Sequence, residues 1–379
     1  MMRVLITGGM GFIGLNLAKE LLDKASKIIL MDNLSAQIHG VIPNFDDPIL
    51  KNEKISLVRG DVTNADDLAA VIAEVDAIVH LAAETGTGQS MYQIAHYNQV
   101  NSQGTALLLD ALQKIPNSVN KIVLASSRSV YGEGAFSCMA CSPDVMRFPN
   151  PRSREALAAH AWDFECPDCG SALSAVATPE NAAVNPASIY AATKFAQEEL
   201  IRIGTQALGI SSVILRFQNV YGEGQSLNNP YTGILSIFST RIRQGKSLPI
   251  FEDGLESRDF VHVSDIASAI ALSLFADTGS HDVFNVGLGV PVSVMEIANK
   301  LVTLLGGTVT PHVTAEYRVG DIRHCFADMS HIQAVLGFQP KVDVDEGMKR
   351  FVAWVLTQEV PVDRLDEASA ELRRMKLMS

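Results

Sequence analysis

Eight residues near the start of the chain, Thr7-Gly8-Gly9-Met10-Gly11-Phe12-Ile13-Gly14, constrain its fold more than any other feature. They follow an apolar, β-branched run, Arg3–Thr7, and precede a stretch in which Ile13, Leu17, Ala18, Leu21 and Leu22 recur at spacings of three and four. The first reads as a buried strand and the second as a helix with one apolar stripe. Glycines between them allow a tight turn and close backbone approach, so that a pyrophosphate can sit on the first amides of the helix. The turn satisfies both Gly-x-Gly-x-x-Gly from Gly9 and Gly-x-x-Gly-x-x-Gly from Gly8. Such glycines are common in isolation, and it is their place between strand and helix that marks a dinucleotide site.

The pattern then repeats. Further continuous apolar runs at Lys27–Asp32, Ile55–Gly60, Ala77–Leu81, Lys121–Ser126 and Ser212–Phe217 alternate with helical periodicity. That alternation builds an α/β, Rossmann-type doubly wound parallel sheet. The second run ends at Asp32, near the offset at which a carboxylate takes the ribose hydroxyls; with Asn33 after it and no arginine close by, it favours NAD over NADP. Gly8, Gly11, Phe12, Ile13 and Gly14 are the expected pyrophosphate-side residues. Asp61-Val62, His80-Leu81-Ala82-Ala83 and Ser126-Ser127 stand at carboxyl ends of strands, where open sheets bind ligands. Residues 1–220 are therefore read as the NAD-binding domain. From 221 to 379 the alternation loosens, with helical stretches at Asp265–Phe275, Val294–Leu305 and Asp363–Met375; this part is expected to form a smaller C-terminal substrate-binding lobe, with some segments returning to the sheet.

With 30 basic against 42 acidic side chains and a net charge of −12, neither a nucleic-acid partner nor an anionic membrane surface is expected. No apolar stretch approaches a membrane span, and Met1-Met2-Arg3 leads directly into the first strand, so a cytoplasmic protein is expected.

The segment Tyr190-Ala191-Ala192-Thr193-Lys194 puts a tyrosine and a lysine at i and i+4, on one helix face. A lysine beside a phenol stabilises the phenolate and is expected to lower its pKa toward neutrality, making a general base. Together with TGGMGFIG (7–14), GDV (60–62), HLAA (80–83), SSRSVYG (126–132), RFQNVYG (216–222) and RDFVHVSD (258–265), this segment resembles the extended short-chain dehydrogenase/reductase family of nucleotide-sugar epimerases and dehydratases. The resemblance implies a catalytic triad of Ser127, Tyr190 and Lys194, with Tyr190 as base, Lys194 also holding the nicotinamide ribose and Ser127 on the sugar oxygen. It implies a nucleoside diphosphate sugar as substrate, approached by Asn219 and Arg258, with Arg318 or Arg323 as a second phosphate contact. It also implies a homodimer built from the Tyr-Lys helix and the helix near Asn101–Ile115.

The 4,6-dehydratases of that family carry an Asp-Glu pair after the catalytic Ser or Thr, because loss of water needs an added acid and base. Arg128 and Ser129 stand there in this chain. The expectation is therefore NAD-dependent 4-epimerisation through a transient 4-keto sugar, with a UDP-sugar 4-epimerase, or a dehydratase or reductase on the same scaffold, as alternatives. The runs LAAETGTGQSMY (81–92), NPYTGIL (229–235) and GDIRHCFAD (320–328) resemble more narrowly the dTDP-L-rhamnose 4-epimerases, which form dTDP-6-deoxy-L-talose. On that resemblance Thr85, Thr87, Gln89 and Ser90 are expected to line the sugar pocket.

Ser127 and Tyr190 stand 63 residues apart, about 38 more than the family's usual connection. The excess contains Cys138-x2-Cys141 and Cys166-x2-Cys169, a spacing close to that of a zinc ribbon, in which two turns present four thiolates tetrahedrally. An inserted zinc-ribbon-like segment over 133–180 is expected, with a structural zinc on Cys138, Cys141, Cys166 and Cys169.

Overall fold

The computed structural model describes all residues except 41, 42, 44, 228, 230, 232 and 278–280; Pro230 and Thr232 of the 229–235 run therefore lie outside the described residues. Seven parallel strands form the central sheet: β1 (Met2–Thr7), β2 (Ala25–Asp32), β3 (Ile55–Arg59), β4 (Ala77–His80), β5 (Lys121–Ser127), β6 (Ser211–Phe217) and β7 (His281–Val286). Their order is β7-β6-β5-β4-β1-β2-β3. The order reverses between β1 and β4, which opens a crevice at their carboxyl ends.

Successive strand residues point to opposite faces, so each strand feeds two cores. Val4, Ile6, Ile28 and Leu30 pack on one face; Leu5, Ile29, Ile78 and Ile122 pack on the other. The first face is covered by α1 (Phe12–Leu21), whose Leu17, Ala18 and Leu21 are buried. On the second face lie α2 (Ala65–Ile72), α3 (Gly104–Lys114) and the twenty-residue α4 (Ile189–Leu208). α5 (Val263–Phe275) comes from beyond residue 220 and returns to α1 through Ile266, Ile270 and Leu274.

A separate core over the carboxyl edge of the sheet joins Phe238, Ile242, Phe260, Met348, Phe351 and the α6 helix (Val294–Leu305). The last helix, α7 (Leu365–Arg374), docks through Ala368 and Leu372. Leu372, Leu377 and Met378 pack with Met91, Tyr92 and Phe251, so α7 bridges the sheet's loops and the smaller lobe. Strand β7 follows the loose region after Val220 and was not legible as a strand. Its residues mix polar His281, Asp282 and Asn285 with apolar Val283, Phe284 and Val286 and are only partly buried in the first half, as a sheet edge allows.

Between β5 and α4 the inserted segment forms a three-stranded antiparallel sheet of Ala135–Cys138, Ser142–Arg147 and Ser174–Val176. Residues 138–141 make the turn between its first two strands. Residues 166–170 make a second turn, closed by Gly170 N–H to the Cys166 carbonyl at 2.9 Å.

Candidate active site

The glycine turn is closed by sterics. Gly8 has φ +67, and a Cβ there would lie 2.9 Å from Ala82 N; a Cβ on Gly14 would lie 2.5 Å from the Gly9 carbonyl oxygen. Gly11 caps α1 without a side-chain hydrogen bond, leaving the first amides of the helix available to an anion. Asp32, at the end of β2, accepts from Met10 N–H at 3.0 Å and Leu34 N–H at 2.8 Å. The carboxylate is thereby held beside the turn, as a ribose ligand must be.

These groups border a cavity of 640 Å³ that runs from the glycine turn into the space between the sheet and the smaller lobe. Gly8, Gly11, Phe12, Ile13, Gly14, Asp32, Asn33, Val62, Leu81, Ala82 and Ala83 line one end; Thr85, Thr87, Ser127, Tyr190, Lys194, Asn219, Arg258 and Arg318 line the rest. The first end fits a dinucleotide: small residues where backbone must approach, free helix amides and one fixed carboxylate.

Several expected residues stand elsewhere. Asp61 lies outside the lining, its carboxylate taking Asn33 Nδ2 at 2.9 Å and Thr63 N–H and Oγ1 at 2.8 and 2.7 Å. His80 faces the core, not the crevice, because the last residue of β4 points under the sheet. Gln89 and Ser90 sit on a helical turn that rotates them inward. Gln89 pairs its amide with that of Gln37, and Ser90 Oγ accepts from Tyr190 N–H at 3.0 Å while donating to the Thr87 carbonyl. Ser90 therefore sets the start of α4 instead of touching a sugar. Arg323 is not available to a phosphate: it is 1% exposed and its guanidinium is spent on Asp253, Asp163 and Glu252.

Tyr190 and Lys194 are one turn apart on α4, and Ser127 ends β5 opposite them. The Ser127 hydroxyl caps the following turn, accepting from Ser129 N–H at 3.2 Å, and it stands close enough to the Tyr190 phenol to favour its ionised form. Burial pushes the Tyr190 phenol above its ordinary value; Ser127 and the Arg128 charge pull the other way and do not prevail. The expected lowering by Lys194 is not what the side chain does. Its Nζ donates to the Ala125 carbonyl at 2.9 Å, and burial pushes it down to about 7 despite Glu198 nearby. A lysine that is half neutral near pH 7 is a weaker phenolate stabiliser than one held fully charged. Glu198 is itself gripped by Arg216 Nε and Nη2 at 3.0 and 2.7 Å, and by Ser126, which ties α4 to β5 and β6.

Arg258 is pushed down to about 10 by burial and by the Arg128 charge, so it has the character of a cation short of a counter-charge. Arg318 lies over the Phe251 ring, 4.9 Å from its centroid, and pairs with Asp321. Lining residues outside the sequence reading include Arg128, Glu256 and, from α7, Leu365. Arg128 was legible from its place beside Ser127. Leu365 carries no local signal, since only the tertiary path of α7 brings it to the site.

In the insert the four cysteine sulfurs lie within 4.8 Å of one another, with Cys138–Cys169 at 3.5 Å and Cys141–Cys166 at 3.6 Å. Four thiolates about 2.3 Å from one tetrahedral ion would stand about 3.8 Å apart, so the donor set fits a closed zinc site.

The model of the NAD dependent epimerase/dehydratase family matches residues 4–153 and 169–287, breaking within the insert. The chain is 38% identical over 355 residues to a dTDP-L-rhamnose 4-epimerase of Burkholderia thailandensis, covering 93% of this chain and 94% of that one. Among solved structures it is similar to a UDP-N-acetylglucosamine 4-epimerase from Methanobrevibacter ruminantium in complex with UDP-N-acetylmuramic acid (TM-score 0.75, 28% identity, 94% of this chain and 99% of that one). It is also similar to MoeE5 in complex with UDP-glucuronic acid and NAD (TM-score 0.73, 27% identity, 93% and 99%).

Proposed function

The chain belongs to the NAD dependent epimerase/dehydratase family, and within it we propose that this protein is an NAD-dependent nucleotide-sugar 4-epimerase acting on dTDP-L-rhamnose to give dTDP-6-deoxy-L-talose. The observation that carries this reading is the meeting of Ser127 and Tyr190 in the cavity whose far wall is the glycine turn. The relative from Burkholderia thailandensis supports the choice of sugar and base.

NAD would be held along Gly8–Gly14 with Asp32 on a ribose, and when bound it would supply a hydride acceptor that can return what it takes. The chain's own residues do the rest. Tyr190 takes the proton of the 4-hydroxyl as hydride leaves C4, and Ser127 holds the oxygen through the change from alcohol to ketone. Lys194 lies behind Tyr190 and bears on the nicotinamide ribose. Arg258 and Arg318 hold the diphosphate, so that the 4-keto sugar can turn over without leaving the site. Tyr190 would give the proton back to the same oxygen as the ketone is reduced on its other face, with no net redox change. A carboxylic acid and base for the removal of water are missing beside Ser127, where Arg128 and Ser129 stand.

Incubation of purified protein with dTDP-L-rhamnose and no added reductant should give a C4 epimer of unchanged mass. Turnover of UDP-sugars alone would move the assignment to a UDP-sugar 4-epimerase, and a product lighter by one water would replace it with a dehydratase.

The insert is proposed to be zinc-ribbon-like, with the four cysteines closing on a structural zinc. Protein purified under reducing conditions should contain one zinc per chain, and a content far below that would refute the site. A homodimer is proposed across α3 and α4, where Ile203 is 56% exposed and Ala192 is also open. Sedimentation at a monomer mass would contradict it. Among the described residues no helix is long and apolar enough to cross a membrane.

A further inference from the structure

Arg128 directly follows Ser127 and begins the turn Arg128–Tyr131. Its Nε donates to Asn219 Oδ1 at 2.8 Å, which fixes the plane of the guanidinium across the gap between β5 and the strand Asn219–Tyr221. Its Nη1 is closed off from solvent and has no hydrogen-bond partner among the described residues, although the residue lines the cavity. A charged donor stripped of water and left unpaired costs more than a neutral one. A guanidinium in that condition suits a site whose missing acceptor belongs to a ligand.

The surroundings do not provide that acceptor. Asp259 lies in the field of Arg128, but its carboxylate is occupied by the backbone N–H groups of Leu288, Gly289 and Ala327 at 2.8, 2.9 and 3.2 Å. The buried Cys325 thiol lies in the field of Arg128, yet it is neutral, its pKa pushed up by burial. Arg258 is a second cation facing the same space. On the other side stands the Tyr190 phenol, with Ser127 beside it, Tyr97 within its field and Lys194 one turn along α4.

We propose that Arg128 is a substrate-contacting residue, its guanidinium donating to an oxygen of the sugar beside the reacting carbon and holding a fixed positive charge next to Tyr190. The inference rests on the epimerase reading and deepens it. An arginine stays protonated at any working pH, so it can hold an oxygen but cannot act as an acid or base for water loss. The position thereby favours the phenolate and offers no acid or base for water loss.

The test compares Arg128→Lys and Arg128→Gln with the unmodified protein, using dTDP-L-rhamnose for turnover and dTDP alone for binding. Arg128→Gln should lower kcat at least tenfold and move the acid limb of kcat/KM upward by a pH unit or more, because Tyr190 loses a cation that favours its phenolate. Binding of dTDP should stay within twofold, and Arg128→Lys should recover part of the kcat. An unmoved acid limb with unchanged kcat overturns the proposal. So does loss confined to dTDP binding, which would assign the guanidinium to the diphosphate. Equal impairment of both variants with a matching fall in melting temperature would reduce Arg128 to a packing role and also overturns it. Failure of the unmodified protein to epimerise dTDP-L-rhamnose or any UDP-sugar is read before any variant is made, and it would remove the function reading itself.

Discussion

His80 provides a stability test that bears on how the cofactor crevice is built. The side chain is 1% exposed, with Nδ1 2.8 Å from Thr7 Oγ1 and Nε2 3.0 Å from Thr105 Oγ1. The partners fix its tautomer. Thr105 Oγ1 gives its proton to the Asn101 carbonyl at 2.7 Å and already accepts from Gln197, so Nε2 must donate to it. Nδ1 is then the acceptor for the Thr7 hydroxyl, whose oxygen in turn takes Ala82 N–H at 3.2 Å. Protonation at Nδ1 would set two donors against each other inside the sheet. Burial, helped by the Lys194 charge, pushes the imidazole down from 6.5 to about 3. Below pH 6.5 the unfolded chain therefore binds a proton that the folded chain refuses, and stability falls as pH falls. At 1.36 kcal/mol per unit, the two units between 6.5 and 4.5 amount to about 2.7 kcal/mol. The assay is urea denaturation at several pH values between 7.5 and 4.5, on the unmodified protein and on His80→Gln. The variant should be less stable at pH 7.5 but should lose about 2.7 kcal/mol less on acidification. Parallel pH profiles, or an NMR titration of His80 near 6.5 in the folded protein, would show that the buried imidazole does not resist its proton.

Other outcomes follow from the same geometry. Gly14→Ala forces a Cβ to within 2.5 Å of the Gly9 carbonyl, so the turn must open; calorimetric titration should show NAD affinity reduced at least tenfold, and unchanged affinity would mean that this turn does not cradle the pyrophosphate. Tyr190→Phe removes the proton acceptor and should lower kcat by roughly a hundredfold to ten-thousandfold. NAD binding should survive in that variant, and a kcat within threefold of normal would exclude Tyr190 as the base.

The parts of the fold that were legible in the sequence are those where local pattern and tertiary role coincide. Strands buried on both faces read as unbroken apolar runs, which is why β1, β2, β4 and β5 appear where expected to within two residues. β7 was lost because an edge strand carries only part of that pattern. Residues of the glycine turn line the cavity as their backbone requires, whereas Gln89, Ser90 and Arg323 do not. Their polarity suggested ligand contact, but each is consumed by protein partners that sequence separation conceals: Gln37, Tyr190 and Asp253. A motif reports which residue types are present; only the packing decides whether a polar side chain faces a ligand or another residue. The Tyr-Lys pair shows the same limit. Spacing placed both groups on one face, but not the Ala125 carbonyl that claims the lysine.

In a 4-epimerase of this design hydride would leave and return to the same carbon within one closed site. The decisive experiment uses dTDP-L-rhamnose carrying deuterium at C4, incubated with the protein in ordinary water, with the product read by mass spectrometry and proton NMR. The expected product is a C4 epimer of unchanged mass that keeps its deuterium at C4. Deuterium lost to solvent, or a product lighter by one water, would contradict it.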